Sequence, residues 1–314
     1  MRRASNLPLL LAGLIVCEAV VSLVAQPQQF RFVVSATDAS GKPVAELKPD
    51  DMLVSENGAR VPVSKVEPYA VPLKVTVTVD NGSDTVDALG HIRSGLKGFV
   101  QALPPDVEVT LISTSPQPRT VVKPTTDRAQ ILRGVNGFAP ESEQRPRFTD
   151  ALVEFGQRLR REERDLKSGK IRPYTPVLVM ISSAANEQIS YELNEIQNAV
   201  TTIIGHKARL FVVITTTRVS EPNLARDLDR NRQVTISRPV TTATNGRFET
   251  LATSIRLMTL LPEWGELLSS LHTRQSSQFV VTVQRATSGP LQNPQFQLRD
   301  TLHGDVTMDG FLVQ

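Results

Sequence analysis

A chain of 314 residues has room for one large domain or two modest ones with a real core. Charged residues make up 21% and hydrophobic residues 40%, a balance that excludes both a disordered chain and a multi-spanning membrane protein. The net charge of +3, without a long Lys/Arg run, gives no footprint for nucleic acid.

Arg2 and Arg3 open a basic segment, residues 7–16 form an apolar run, and small and apolar residues lead to Ala25 before Gln26-Pro27. This is the pattern of a signal peptide over residues 1–25, and it places the mature chain in a secreted, periplasmic or cell-envelope location. Two alternatives stay open. An uncleaved anchor, interrupted by Glu18, would be the chain's contact with a membrane, and Leu14-Ile15-Val16-Cys17 is a lipobox with a bulky Val16. Cys17 is the sole cysteine, so a chain cleaved at Ala25 has no thiol for a disulfide, a nucleophile or a zinc site.

Residues 26–70 read as short antiparallel strands. Residues 30–36 alternate, Gly41 and Pro43 mark a turn, and residues 52–56 precede Asn57-Gly58, a hairpin signal whose partner strand is 61–66. So small a unit must lean on another part of the chain. Residues 71–275 change in texture. Residues 73–79 are β-branched throughout except Leu73 and Lys74, stop at Asp80, and lead into a helical pattern of Leu89, Ile92, Leu96, Phe99 and Val100. Strands at 107–113, 177–182 and 210–215 alternate with helices at 127–135, at 152–166 and around Leu193–Ile204. Residues 116–124 read as loop or hairpin, and the charges of Arg158–Arg164 as a solvated helix face. Residues 220–245 lack periodicity and read as a long loop, and a last helix, carrying Trp264 on its core face, begins near Pro262. Residues 276–314 return to strands at 279–285, 296–299 and 306–313. Apolar strands alternating with helices imply a doubly wound, mostly parallel α/β sheet, with the two terminal segments pairing into an accessory β-unit.

In such sheets ligands lie at the carboxyl ends of the strands, where Asp80 stands. The order of elements, Asp80-Asn-Gly-Ser-Asp84, the helix start Thr149-Asp150-Ala151-Leu152 and the strand end Ile181-Ser-Ser183 resemble a von Willebrand factor A domain. Residues 33–44, 51–58, Ala243-Thr-Asn-Gly-Arg-Phe248 and 278–283 are similar to secreted, acidobacterial-type proteins related to that family. The resemblance implies an adhesion site for a divalent cation, built from a D-x-S-x-S loop, a threonine and a later aspartate. Here Gly82 and Asp84 replace the two serines, Pro146 falls at the threonine three residues before Thr149, and Ser183 replaces the aspartate. With these oxygen ligands missing, no metal and no other cofactor is expected; were Mg²⁺ bound, Asp80, Asp84 and Thr149 would hold it.

Three functional readings follow. The first is a non-enzymatic interaction module that binds a protein or peptide through Asp80, Asn81, Gly82, Ser83, Asp84, Thr149, Asp150, Ser183 and Asn186. The second is a Mg²⁺-dependent adhesion module. The third is a hydrolase with Asp80 and Asp84 as paired carboxylates, which lacks a nucleophile or ligand set. Ser182 and Ser183 have no G-x-S-x-G context, no Gly-rich loop follows a strand, and His91, His206, His272 and His303 read as surface or helix-end residues.

Overall fold

The computed structural model describes residues 28–141, 144–216, 231–285 and 289–307. Residues 1–27, with the signal-peptide reading, and residues 308–314, which include most of the last expected strand at 306–313, lie outside them.

Six of the seven residues of Leu73–Val79 (β5) are apolar or hydroxyl-bearing, five of them, Val75 to Val79, in an unbroken buried run, and the strand accordingly lies inside a six-stranded sheet. Its neighbours are Glu108–Ser113 (β6) and Thr175–Ser183 (β8), both parallel to it. Arg209–Thr215 (β9) and Arg247–Leu251 (β10) continue the parallel set beyond β8. Arg119–Thr125 (β7) closes the other edge, antiparallel to β6, so residues 116–124 form a hairpin. Lys123, Pro124 and two register shifts blunt that edge against pairing with another chain. Val75, Val77 and Val79 point to one face and meet Leu89–Ala102 (α1), Arg128–Asn136 (α2) and Leu257–Ser276 (α6). On the opposite face Leu178, Met180, Leu210, Val212 and Ile214 meet Phe148–Lys167 (α3), Leu193–Gly205 (α4) and Arg232–Ala243 (α5).

The helices start where local chemistry allows. Asp127 caps α2 by accepting from the Gln130 N–H at 3.0 Å, an interaction worth about 1 kcal/mol. Glu192 and Glu195 form a capping box at α4. Helix α5 corrects the reading of 220–245 as loop: Asn231 accepts from the Val234 N–H at 3.2 Å, and residues 232–243 are helical. Its buried face carries Gln233, Ser237 and Thr241 beside Val234 and Val240, so no apolar stripe marks it. Ser237 satisfies its hydroxyl on the Gln233 carbonyl one turn back, 2.5 Å away. Helix α6 begins five residues before the expected start at Pro262, because Thr253 caps a short turn, Ser254–Arg256, that runs straight into it. The Pro262 ring occupies the space left by Gly98, where a Cβ would come within 2.6 Å of its Cγ.

The terminal segments pair with each other as expected. Gln28–Asp38 (β1) lies between Gln278–Arg285 (β11) and Leu302–Thr307 (β13), and β11 also pairs with Val63–Tyr69 (β4), all antiparallel. A second sheet holds Met52–Glu56 (β2) between Ala59–Val61 (β3) and Pro294–Leu298 (β12). The hairpin turn has positive φ at Asn57 and Gly58, but the expected partner strand 61–66 is split: Pro62 ends β3, and β4 crosses to the other sheet. Phe32, Val34, Met52, Val54, Phe279 and Val281 fill the space between the two sheets.

Candidate functional site

Asp80 follows the last residue of β5 at the carboxyl end of the parallel sheet, and its N–H bonds the Ile181 carbonyl of β8 at 2.8 Å. The strand end therefore fixes its position rigidly. Its side chain is 1% exposed. Oδ1 accepts from the Gly82 N–H at 2.9 Å; Oδ2 accepts from the Ser183 hydroxyl at 3.0 Å and lies 3.3 Å from the Ser182 hydroxyl. Burial pushes the Asp80 carboxyl up from its ordinary value, against the pull of these hydrogen bonds.

The segment leading into α3 is what covers it. Asn81 donates to the Ala139 carbonyl at 2.8 Å, and its own carbonyl accepts from the Glu141 N–H at 2.7 Å. The Ser83 N–H bonds the Gln144 carbonyl at 3.0 Å. Ser115, at the end of the β6 run, holds the Asn81 side-chain oxygen through its N–H at 3.1 Å. Gly82 is thereby enclosed: a Cβ there would meet the Gln144 carbonyl oxygen at 2.5 Å and the Ser115 Oγ at 3.1 Å.

Thr149 and Asp150 begin α3 and are also buried. The Thr149 N–H and hydroxyl both donate to the Glu187 carboxylate, at 2.8 and 2.6 Å. Burial raises Glu187, while the Thr149 bonds and the Arg232 charge oppose the rise. Asp150 accepts from the Ser190 N–H at 2.9 Å and pairs with Arg147 at 2.9 Å, so it anchors the loop after β8.

The nine residues singled out in the sequence thus lie at one end of the sheet but divide in two. Asp80, Asn81, Gly82, Thr149, Asp150 and Ser183 are buried. Ser83 and Asn186 are exposed and Asp84 is half-buried. The sequence reading missed Ser115, Gln144, Glu187 and Gln233, whose side-chain amide lies 3.4 Å from the Ser182 hydroxyl. Of these, Glu187 alone carried a signal, as a carboxylate four residues past a strand-end serine.

A Mg²⁺ ion wants about six oxygens in near-octahedral array. Thr149 gives its hydroxyl to Glu187, both Asp80 oxygens accept from the chain itself, and the Gln144 carbonyl stands where a serine at position 82 would project. The residues present do not fit such an ion. Among the described residues, no group of three or more His, Cys, Asp or Glu side chains is placed to hold a metal. Of the two carboxylates read as a possible catalytic pair, Asp80 is buried and Asp84 half-buried.

No family model and no curated protein matches the sequence. Solved structures similar in fold include a von Willebrand factor type A protein from Catenulispora acidiphila, 10% identical, with a TM-score of 0.48 over 79% of this chain and 51% of that one. BatB from Bacteroides thetaiotaomicron is 12% identical, with a TM-score of 0.42 over 63% of this chain and 99% of that one. An aerotolerance-related membrane protein from Bacteroides fragilis is 11% identical, with a TM-score of 0.40 over 62% and 99%. The chain spans about half the length of the first of these. At such identities the likeness concerns the fold alone. No helix among the described residues is long and apolar enough to cross a membrane.

Proposed function

We propose that this chain is a non-enzymatic, secreted or envelope-associated interaction module that binds a protein partner at the carboxyl end of its central sheet without a cation. The observation that supports it best is the state of Asp80, buried and hydrogen-bonded by its own loop and by β8, with the next residues, Asn81 and Ser83, bonded to Ala139, Glu141 and Gln144. What that end offers a partner is the rim around it: Ser83, Asp84 and Asn186, held in place by the buried network below.

Calorimetry of the mature protein with Mg²⁺ and Mn²⁺ tests the cation half, with no stoichiometric binding expected. Micromolar binding that Asp80→Ala abolishes would overturn it and restore the adhesion-site reading. For the partner half, a protein captured from envelope extract should lose affinity for Asp84→Ala and Asn186→Ala and keep it in EDTA. Binding that EDTA abolishes, or that neither substitution weakens, would overturn the assignment.

A further inference from the structure

A second concave site lies on the side of the sheet facing α3, running along β5 from Thr76 to Thr78. There the apolar layer under the helices takes in residues of β8 and β9 and none of β5, β6 or β7. Lys74, Thr76 and Thr78 of β5 stand in register with Glu108, Thr110 and Ile112 of β6 on this face. A polar sheet floor beside a helix is unusual in a fold that buries both faces. It borders a cavity of about 310 Å³ lined by Thr76, Thr78, the α3 residues Glu154, Arg158 and Arg161, and Tyr191.

Glu154 and Arg158 are one helical turn from each other, the spacing at which such residues ordinarily pair. Instead Arg158 turns inward, donating to the Thr76 hydroxyl at 2.6 Å with its guanidinium 5.0 Å from the centre of the Phe155 ring. This corrects the reading of Arg158–Arg164 as a wholly solvated face. Thr76 is the one hydrogen-bond acceptor of Arg158 among the described residues, while the charges of Glu162 and Glu108 also act on its guanidinium. Glu154 is half-buried, and burial and the nearby Asp150 charge both raise its carboxyl, with Arg161 opposing them.

From this geometry we propose that the groove binds a small zwitterion of amino-acid to dipeptide size. Its carboxylate meets Arg158 and Arg161, and its ammonium meets Glu154. Guanidinium groups suit a carboxylate through paired hydrogen bonds. Glu154 and Arg158 are separated by about 6 Å along the helix axis, a spacing nearer to the ammonium–carboxylate separation of a dipeptide than to that of a single amino acid. A phosphate dianion would lie against the Glu154 charge. The volume is at the lower end for a ligand site, which sets the size limit.

Calorimetry on the full chain with glycylglycine and L-alanine, against N-acetylglycine, glycinamide and inorganic phosphate, tests this. Saturable binding of glycylglycine or L-alanine is expected, about tenfold or more tighter than of the two singly charged probes. Arg161→Ala and Glu154→Gln should each weaken it by about tenfold or more while leaving thermal unfolding unchanged. The proposal is overturned if no zwitterion binds, if phosphate binds more tightly, or if both variants bind as the parent does.

Discussion

Asp80 is the residue on which the chemistry of the strand ends turns. A carboxyl whose native value is raised holds its proton longer in the folded than in the unfolded chain. Its contribution is therefore fully present below the ordinary value of 3.8 and is lost as pH rises through the native value. Asp80→Asn removes that loss. The melting temperature of the variant minus that of the parent should become more positive from about pH 4 to about pH 7. A difference that shrinks over this range would mean a depressed carboxylate, as at a cation site. Gly82→Ser makes a second test, because it adds a hydroxyl where space is lacking. The Cβ contact of 2.5 Å with the Gln144 carbonyl should cost about 1–3 kcal/mol in urea unfolding, with no gain in Mg²⁺ affinity.

At the scale of elements, α1 and α6 pack so closely that glycines are required between them. A Cβ on Gly95 would come within 2.3 Å of the Leu257 carbonyl oxygen, and one on Gly265 within 2.7 Å of the Phe99 carbonyl oxygen. Alanine normally stabilises a helix interior relative to glycine by about 1 kcal/mol. Here the sign should reverse: Gly95→Ala should destabilise by about 1–3 kcal/mol. Gly90 on the same helix faces open space, so Gly90→Ala should stabilise by a few tenths to about 1 kcal/mol. Chemical denaturation of the two variants measures both. If Gly95→Ala is neutral, the helices have room to separate and the contact is looser than described.

In the molecule as a whole, two crossings side by side join the α/β core to the accessory β-unit: β4 into β5, and α6 into β11. The Val71 N–H bonds the Gln275 carbonyl at 3.0 Å, and the Leu73 N–H is 3.3 Å from His272 Nδ1. His272 Nε2 lies 3.0 Å from Asp106 and 3.2 Å from Ser276, so this histidine is a buried strut rather than an ordinary helix-end residue. With Nδ1 accepting, Nε2 carries the proton and donates to Asp106. His272→Phe would leave the Leu73 N–H unpaired in the interior, a loss of about 1–3 kcal/mol. Hydrogen exchange at Leu73 and Val71 should quicken in that variant, ahead of exchange within β8. Unchanged protection there would show that the junction does not depend on the histidine.

The sequence by itself determined the central sheet and its covering. A strand apolar on both faces, as at Val177–Ile181, or apolar on one face and buried threonine on the other, as at Val75–Val79, has no stable place except between two layers of helices. It also determined that the terminal segments must meet, since neither carries enough apolar surface to stand alone. The strand-end cluster was legible as a location because turn and cap residues act locally. Tertiary structure alone decided what that location can do. Residues about sixty positions away tie down Asn81 and Ser83 beside the buried Asp80 through main-chain groups, which no side-chain pattern reveals. Helix α5 escaped notice for a related reason: its hydroxyls are satisfied on its own carbonyls, so a buried face reads as polar. Arg158 did likewise, since the acceptor that draws it inward lies on a strand eighty-two residues earlier. Burial periodicity is written in the order of residues; the pairing of polar groups across the fold is set by packing.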